Sequence, residues 1–265
     1  MQRYEELGDN MKLEVLLSVL NLDKKNLNKM NIKTDCVVIN QCDKTEYKKY
    51  KNFKIYSYKE RGISKSRNKA LEKSTGDILL LCDDDVVYDD NYEKTIIDSF
   101  KSNPKADVIF FNLETINRDS KVNKKNKRIH FYNCLRYGST SIAFRRESIV
   151  NNDIKFNLLF GSKEHFQGGE DTLFIVDCLK KGLKLYSSKE YIGTVNHAKS
   201  TWFKGYNEKY FYDKGALFCA INKPLRKLLF LQYLIRHKIV YKQMGFKNAF
   251  SFMEKGAKSY LEMKW

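Results

Sequence analysis

The chain has 265 residues, of which 42% are hydrophobic, and a formal net charge of +17. This size suits one large α/β domain, or one domain with an appendage. The positive charge is compatible with nucleic acid, a membrane surface or an anionic diphosphate as the ligand. The lysines are spread along the chain, so charge alone does not decide between these classes. No stretch has the roughly eighteen apolar residues of a transmembrane helix.

The first residues, MQRYEELGDN, are polar and are not typical of a signal peptide. The six cysteines lie largely in apolar runs and form no Cys-x-x-Cys pair. Buried, reduced thiols are their simplest interpretation. We therefore expect a cytoplasmic protein, with the inner face of the cell membrane as an alternative location.

Hydrophobic runs and turn residues predict alternating strands and helices in the first half of the chain. In order, these are a strand at 13–20, a short helix or loop at 24–30, strands at 36–40 and 54–58, a helix at 64–73 with Ser64 as N-cap, a strand at 78–82, a helix at 91–102 and a strand at 107–113. Such alternation predicts an α/β fold with a mostly parallel, Rossmann-like sheet flanked by helices.

The second half begins with a basic polar tract at 117–130, which we interpret as a solvated loop, with a flexible loop beside the active site as the alternative. A strand at 139–145, a helix at 172–181 and a short strand at 183–186 follow. Residues 206–265 are predicted to form a basic, aromatic-rich helical extension after the α/β domain at 12–205 and an N-terminal extension at 1–11. Within the helical extension, residues 224–246 are predicted to form one apolar helix that either lies on an anionic membrane or packs on the α/β domain.

Three consecutive acids, Asp83, Asp84 and Asp85, follow the buried strand at 78–82. Open α/β sheets bind ligands at the carboxyl ends of their strands. Carboxylates there are costly unless a cation meets them, so Asp83-x-Asp85 indicates a site for a divalent cation shared with phosphate. An acidic turn that caps the next helix is the alternative.

A second acidic pair, Glu170-Asp171, follows Gly168-Gly169 and precedes a helix. An N-cap explains one acid at such a position but not the whole run. Two acidic sites well apart in sequence, each at the edge of a sheet, suggest a division of labour, in which one holds metal and diphosphate and the other removes a proton.

The order of these motifs resembles family 2 glycosyltransferases of the GT-A fold, of the bacterial surface-polysaccharide type. The matching segments are EVLLSVLN, ERGISKSRNKALEKSTGDILLLCDDD and GSTSIAFRRESI followed by GGEDTLFIVDCLKKGLKLY, within residues 12–205. The family's usual Pro-Thr-Tyr-Asn is Ser-Val-Leu-Asn at 18–21 here, and its Asp-Asp-Gly-Ser is Asn-Gln-Cys-Asp at 40–43. Both segments hold the base in the family, and we expect uridine by default.

The resemblance implies a role for each matching residue. Asp171 would be the general base, with Glu170 orienting it or binding the acceptor. The residues expected at the nucleotide sugar are Ser18, Asn21, Asn40, Gln41, Asp43, Gly62, Arg67, Asn68, Asp83 and Asp84. Asp83 and Asp85 would hold Mn²⁺ or Mg²⁺, and His197 is an additional candidate ligand, although a packed or surface histidine is as good an interpretation. Gly169 and Trp202 are candidates for the acceptor or sugar, and Trp202 is otherwise a core residue.

These roles predict an inverting, metal-dependent transferase that moves a sugar from a UDP-linked donor to a saccharide or lipid-linked acceptor. A membrane-surface contact is a further expected partner, and nucleic acid is not. A nucleotidyltransferase is one alternative, but such an enzyme needs a Gly-rich, basic loop after the first strand, and Leu-Asn-Leu-Asp at 20–23 is not one. A basic nucleic-acid-binding protein is another, and it would not need two acidic sites.

Overall fold

The computed structural model describes residues 11–116, 122–138, 141–196 and 205–263. Its centre is a ten-stranded sheet. The strands are β1 (Leu13–Leu20), β2 (Asp35–Gln41), β3 (Glu46–Tyr50), β4 (Phe53–Tyr58), β5 (Ile78–Asp83), β6 (Val86–Tyr88), β7 (Val108–Ile116), β8 (Lys127–Ile129), β9 (Ile142–Arg145) and β10 (Leu185–Asn196). The helices are α1 (Lys24–Lys29), α2 (Ile63–Lys73), α3 (Tyr92–Ser102), α4 (Arg146–Asn151), α5 (Glu170–Lys180), α6 (Glu208–Ile221), α7 (Arg226–Arg236) and α8 (Phe246–Glu262).

The sheet has the order β3-β4-β2-β1-β5-β9-β7-β10-β6, and β8 pairs with β10 outside this path. The strands β4, β2, β1 and β5 are mutually parallel, and β7 is parallel to β10. Because β9 is antiparallel to both β5 and β7, all six of these strands run in one direction. The predicted α/β fold with a mostly parallel sheet is therefore confirmed.

Alternate residues of the central strands face two separate cores. Val15 and Leu80 belong to one apolar cluster, which α3 covers with Ile96 and Phe100. Their chain neighbours, such as Leu16, face the second cluster, which α2 and α5 cover. Strands buried on both faces read as continuous apolar runs, which is why β1 and β5 were visible in the sequence.

The last three long helices pack as a unit that also contacts the α/β body of the protein. Gly215 on α6 and Gly256 on α8 let the two helices meet closely, because a Cβ at either position would overlap the backbone of the other helix. A small apolar cluster then joins Phe166 and Leu173 to Ala216 and Leu217 of α6. The extension is thus anchored beside α5.

Several elements differ from the expectations. The strands β3, β6 and β8 and the helix α4 were missed, and the short strand predicted at 183–186 is part of a strand of twelve residues, Leu185–Asn196. Residues 224–246 do not form one helix, because α7 ends at Arg236 and a 3₁₀ turn, Lys238–Tyr241, follows. Ser64 is not an N-cap: Gly62 caps α2, and the Ser64 hydroxyl donates to the Phe160 carbonyl at 2.6 Å.

Candidate active site

The carboxyl ends of three strands bring the predicted residues together at one edge of the sheet. Ser18 on β1 lies directly opposite Asp83 on β5 and Ile39 on β2 in the strand register. The Ser18 hydroxyl accepts a hydrogen bond from Ser66 on α2 at 2.8 Å. This contact ties the first turns of α2 to the same edge, so that strand ends and helix form one site.

Arg67, on α2, joins the two acidic motifs that are far apart in sequence. Its side chain is only 4% exposed. One guanidinium nitrogen, Nη2, donates to Asp83 Oδ1 at 3.2 Å, and the other, Nη1, contacts Glu170 Oε1 at 3.3 Å and Asp171 Oδ1. Phe156 packs against the guanidinium, with its ring centre 5.4 Å away. We refer to Arg67, Asp83, Glu170 and Asp171 as the arginine cluster.

The charges in this cluster shift the pKa values of its members. Burial alone would lower the pKa of Arg67, but the neighbouring charges of Asp171, Asp83 and Glu170 outweigh burial and raise it. The pKa of Glu170 is raised to about 7, first by burial and then by the negative charge of Asp171, against the attraction of Arg67. The cluster therefore contains a fixed cation and a carboxyl group that is readily protonated near neutral pH.

The acidic pair lies in the first turn of α5, where unpaired backbone N–H groups favour negative charge. Gly169 precedes it as N-cap with a φ of 93°, in the left-handed region. A Cβ at Gly169 would lie 2.9 Å from Leu217 on α6. The geometry of this turn therefore depends both on glycine and on the helical extension.

The segment after β2 is held against the start of α2. Gln41 Oε1 accepts a hydrogen bond from the Gly62 backbone at 2.8 Å. Arg61 donates to Asp43 Oδ1 at 2.7 Å, although the Asp43 side chain is 95% exposed. Asn40 is buried. Its amide oxygen accepts a hydrogen bond from the Leu22 backbone N–H at 2.8 Å, and its amide nitrogen donates to the Ser57 hydroxyl at 3.1 Å. Asn40 thus ties the end of β2 to β4 and to the turn after β1.

Asn68 also makes its hydrogen bonds to other parts of the protein. Its amide donates to the Phe156 carbonyl and accepts from the Phe156 backbone N–H, both at 2.8 Å. This reciprocal pair holds the stretch before α5 against α2. Asn21, after β1, has a φ of 51°. Together with Asp84 it lines a small pocket.

Asp85, the last residue of the acidic run, lies next to the end of β10. Its carbonyl accepts a hydrogen bond from the Asn196 backbone at 3.1 Å. His197 and Trp202 lie outside the described residues. Among those that are described, no group of three metal-binding side chains is already assembled.

Two residues of this region were not predicted as site residues. Arg61 was missed because its sequence signal, a charge before Gly62, is common on surfaces. Glu164 was missed because it lies in a loop without a motif, yet its side chain is 5% exposed and contacts Lys65 at 3.7 Å. Burial raises the pKa of Glu164. A Cβ on Gly62 would overlap Glu164 Oε1, so this carboxyl group closes over the start of α2.

Comparison with known families agrees with this geometry. The model described as glycosyl transferase family 2 matches residues 14–183, which is more than half of the chain and contains the whole arginine cluster. The chain belongs to glycosyltransferase family 2. The matched range also includes β1 to α5, so this family 2 protein carries the sheet edge and both acidic motifs inside the shared region.

Individual relatives are more distant. A segment of 46 residues is 41% identical to the glucosyl-dolichyl phosphate glucuronosyltransferase of Haloferax volcanii, and covers 17% of this chain and 15% of that protein. The crystal structure of TarS 1-349 from S. aureus is 15% identical with a TM-score of 0.62, over 94% of this chain and 83% of that one. The same TarS fragment in complex with UDP-GlcNAc is 16% identical with a TM-score of 0.63, over 88% and 74%. At these identities, the TarS structures show a shared GT-A fold.

Proposed function

We propose that this family 2 protein is an inverting glycosyltransferase that moves a sugar from a UDP-linked donor to a hydroxyl of an acceptor. One observation carries the proposal: a single buried guanidinium holds both the end of the DxD strand, at Asp83, and the acidic pair at Glu170 and Asp171. In such a reaction the leaving diphosphate and the general base for the acceptor must lie on either side of one anomeric carbon, and the arginine cluster brings residues proposed for both tasks together.

Asp171 is proposed as the general base. Its side chain is 21% exposed, whereas that of Glu170 is 11% exposed, so Asp171 is the more accessible of the two to an acceptor hydroxyl. Arg67 holds one of its oxygens and fixes its direction, and the other can take the proton. Glu170 packs behind it and orients the pair. The hydroxyl then attacks the anomeric carbon opposite the leaving diphosphate, which inverts the configuration.

A divalent cation, Mn²⁺ or Mg²⁺, fits the chemistry of the acidic run. Asp83 and Asp85 offer the hard oxygen ligands that these cations prefer. We keep His197 as a further ligand, because its chain neighbour Asn196 is hydrogen-bonded to Asp85. When bound, the cation would neutralise charge on the departing diphosphate.

The nucleotide is proposed to lie along the strand ends, near Ser18, Asn21, Gln41, Asp43 and Gly62. The choice of UDP is supported by the UDP-GlcNAc complex of TarS. Asp84, which lines the same pocket as Asn21, is proposed to face the nucleoside. Asn40 and Asn68 are reassigned from nucleotide contacts to bracing residues, because their amides bond neighbouring parts of the protein.

The acceptor is proposed to bind on the side of the site where Gly169 lies. Trp202, in the segment after β10, is proposed as a second contact for the acceptor. A saccharide or lipid-linked saccharide of a bacterial capsule, exopolysaccharide or lipopolysaccharide pathway would suit a family 2 enzyme on the cytoplasmic side of the membrane. Nucleic acid has no part in this proposal.

A thermal-shift panel tests the donor site. UDP and UDP-sugars with Mn²⁺ should raise the melting temperature by mass action, and GDP, CDP or UDP with EDTA should raise it less. Asp85→Ala should reduce the metal-dependent part of the shift. Asp98→Ala, an exposed acid on α3 paired with Lys94, is the matched control. No shift with any nucleotide, with or without metal, would contradict the proposal.

A further inference from the structure

The outward face of α7 and the turn after it carries large apolar side chains in contact with water. Ile239, Ile235 and Leu228 are 78%, 61% and 60% exposed, and Leu225 and Leu231 extend the same face. Positions 228, 231 and 235 are spaced by three and four residues, so they form one stripe along the helix. We call these five residues the apolar stripe.

The opposite face of α7 is already used for folding. Phe230 and Leu234 are fully buried against Phe218, Ala249 and Met253 of α6 and α8. The helix is therefore apolar on both sides, whereas a helix that only packs on a domain needs one apolar side. The apolar stripe is surplus to the fold, and a contiguous exposed patch of this kind marks an interaction surface.

The charge around the stripe is mostly positive. No aspartate or glutamate occurs from residue 214 to residue 253, although the whole chain has 32 acidic residues among 265. The same 40 residues contain eight lysines and arginines. Exposed members, among them Arg236, Lys238 and Lys242, border the stripe, and Lys227 is paired with Glu254 at 3.5 Å. Long basic side chains can reach past an apolar surface to place their charges at its rim.

We propose that the apolar stripe and its basic border form a docking surface for an anionic lipid bilayer. A bilayer supplies both features at once, since its acyl region accepts the leucines and isoleucines and its anionic headgroups pair with the lysines and arginines. No helix in the described part of the chain is long and apolar enough to cross a membrane, so α7 lies in the plane of the interface.

Other occupants fit this surface less well. A second copy of the chain, related by twofold symmetry, would place the same basic border against itself. Nucleic acid would meet the basic residues but leave the leucines and isoleucines without an apolar partner.

The docking surface also has a defined connection to the site. The helix α7 is anchored on α6, and α6 contacts Gly169 through Leu217. A membrane-bound α7 would hold the catalytic body at the bilayer surface. The inference rests on exposure and charge alone and stands whether or not the proposed transfer reaction is correct.

Vesicle flotation of the full chain tests the proposal. The protein should float with vesicles of phosphatidylcholine mixed with phosphatidylglycerol, and about tenfold less with phosphatidylcholine alone, because several basic side chains contribute. Raising the salt concentration should weaken binding to the mixed vesicles. Absence of flotation with the mixed vesicles, or equal flotation with both, would overturn the proposal.

Two sets of variants locate the surface. Leu228→Ser, Ile235→Ser and Ile239→Ser combined should reduce binding to the mixed vesicles about tenfold or more, and so should Arg236→Glu, Lys238→Glu and Lys242→Glu combined. The matched controls are Tyr132→Ser, Val150→Ser and Leu158→Ser combined, and Lys105→Glu, Lys124→Glu and Lys125→Glu combined, all at exposed positions elsewhere.

Both control sets should leave vesicle binding within about twofold of the wild type, since surface changes away from a binding site have small effects. Light scattering after size exclusion provides the opposing outcome. A dimer that the apolar variant set converts to monomer, without vesicle binding by the wild type, would assign the stripe to a second copy and overturn the proposal. Because every changed side chain is exposed, unchanged melting temperatures should accompany these results.

Discussion

The two ends of the central strands hold buried charge in opposite ways. At the amino end of β1, Glu14 is 1% exposed and accepts hydrogen bonds from the backbones of Thr75 and Gly76 at 2.6 and 2.9 Å and from Lys54 at 3.1 Å. At the carboxyl end, three carboxylates of the arginine cluster share the Arg67 guanidinium. The first carboxylate has its own cation, whereas the second group has more acids than its arginine can neutralise.

We infer from this difference that the first is a structural site and the second the proposed catalytic one. A buried carboxylate with a cation and two N–H donors is fully satisfied and has no capacity for a ligand. An excess of negative charge at a strand end is unstable by itself, but it can bind a cation, hold a proton or accept one. We therefore expect substitutions at the Glu14 end to change stability alone, and those in the arginine cluster to change chemistry as well.

The largest expected effect is on catalysis. Asp171→Asn should lower turnover of the donor sugar by about 10²- to 10⁴-fold, because the amide cannot accept the acceptor's proton. The UDP-induced thermal shift should remain close to that of the wild type. Turnover is measured as UDP release in the presence of acceptor. Asp177→Asn, which changes an exposed acid of the same helix, should keep its activity. An Asp171→Asn enzyme with most of its turnover would identify a different base.

The next effect is on folding. Arg67→Met should lower the free energy of unfolding by about 3–5 kcal/mol, since it leaves buried carboxylates without their cation. Urea unfolding at neutral pH measures this loss, and Lys69→Met, on the same helix but 31% exposed, is the control. Glu14→Gln should also destabilise the fold, yet leave the UDP-induced shift of the melting temperature unchanged, whereas Arg67→Met should diminish it. Equal effects of Arg67→Met and Lys69→Met on unfolding would show that the guanidinium does not stabilise the cluster.

A smaller effect concerns pH. Because the pKa of Glu170 is raised from its ordinary 4.5 to about 7 in the folded protein, the folded state binds this proton more tightly than the unfolded state. The contribution of Glu170 to stability is then most favourable below about pH 4.5 and declines as the pH rises to about 7, by up to about 3 kcal/mol.

Glu170→Gln should remove that decline. Urea unfolding of wild type and variant at pH 5, 6 and 7, without metal or nucleotide, provides the comparison: the wild type should lose more stability over this range than the variant. Parallel curves would mean that Glu170 titrates in the same range whether the chain is folded or unfolded.

Much of the fold was predictable because its central strands are buried on both faces. The run at β1 was predicted with its observed bounds, Leu13–Leu20, and β5 was predicted to lead into Asp83. The strand β3 was missed because its exposed sequence, EYKKY, has no apolar pattern. The break after α7 was missed because residues 237–246 continue the mixture of apolar and basic residues without a proline.

The site was predictable to the level of its motifs. The acidic runs at 83–85 and 170–171 are local signals, so the sequence identified them. Arg67 contacts both runs, and its contacts with Glu170 and Asp171 join residues more than one hundred positions apart. No local sequence pattern predicts such contacts. The contacts of Asn40 and Asn68 within the protein were not predictable for the same reason, since their partners, such as Phe156, carry no motif.

The contact between Gly169 and Leu217 has a consequence for how such chains can be recombined. The sequence predicts a domain boundary near residue 205. The helix α6 follows that boundary in the chain, but its Leu217 packs on the turn that carries the acidic pair. A foreign C-terminal segment joined near 205 would lose the Leu217 contact with this turn. A junction after α6 would keep that contact but separate α6 from α8, which meet closely at Gly215 and Gly256. The three helices should therefore be exchanged only together with the α5 turn on which α6 packs.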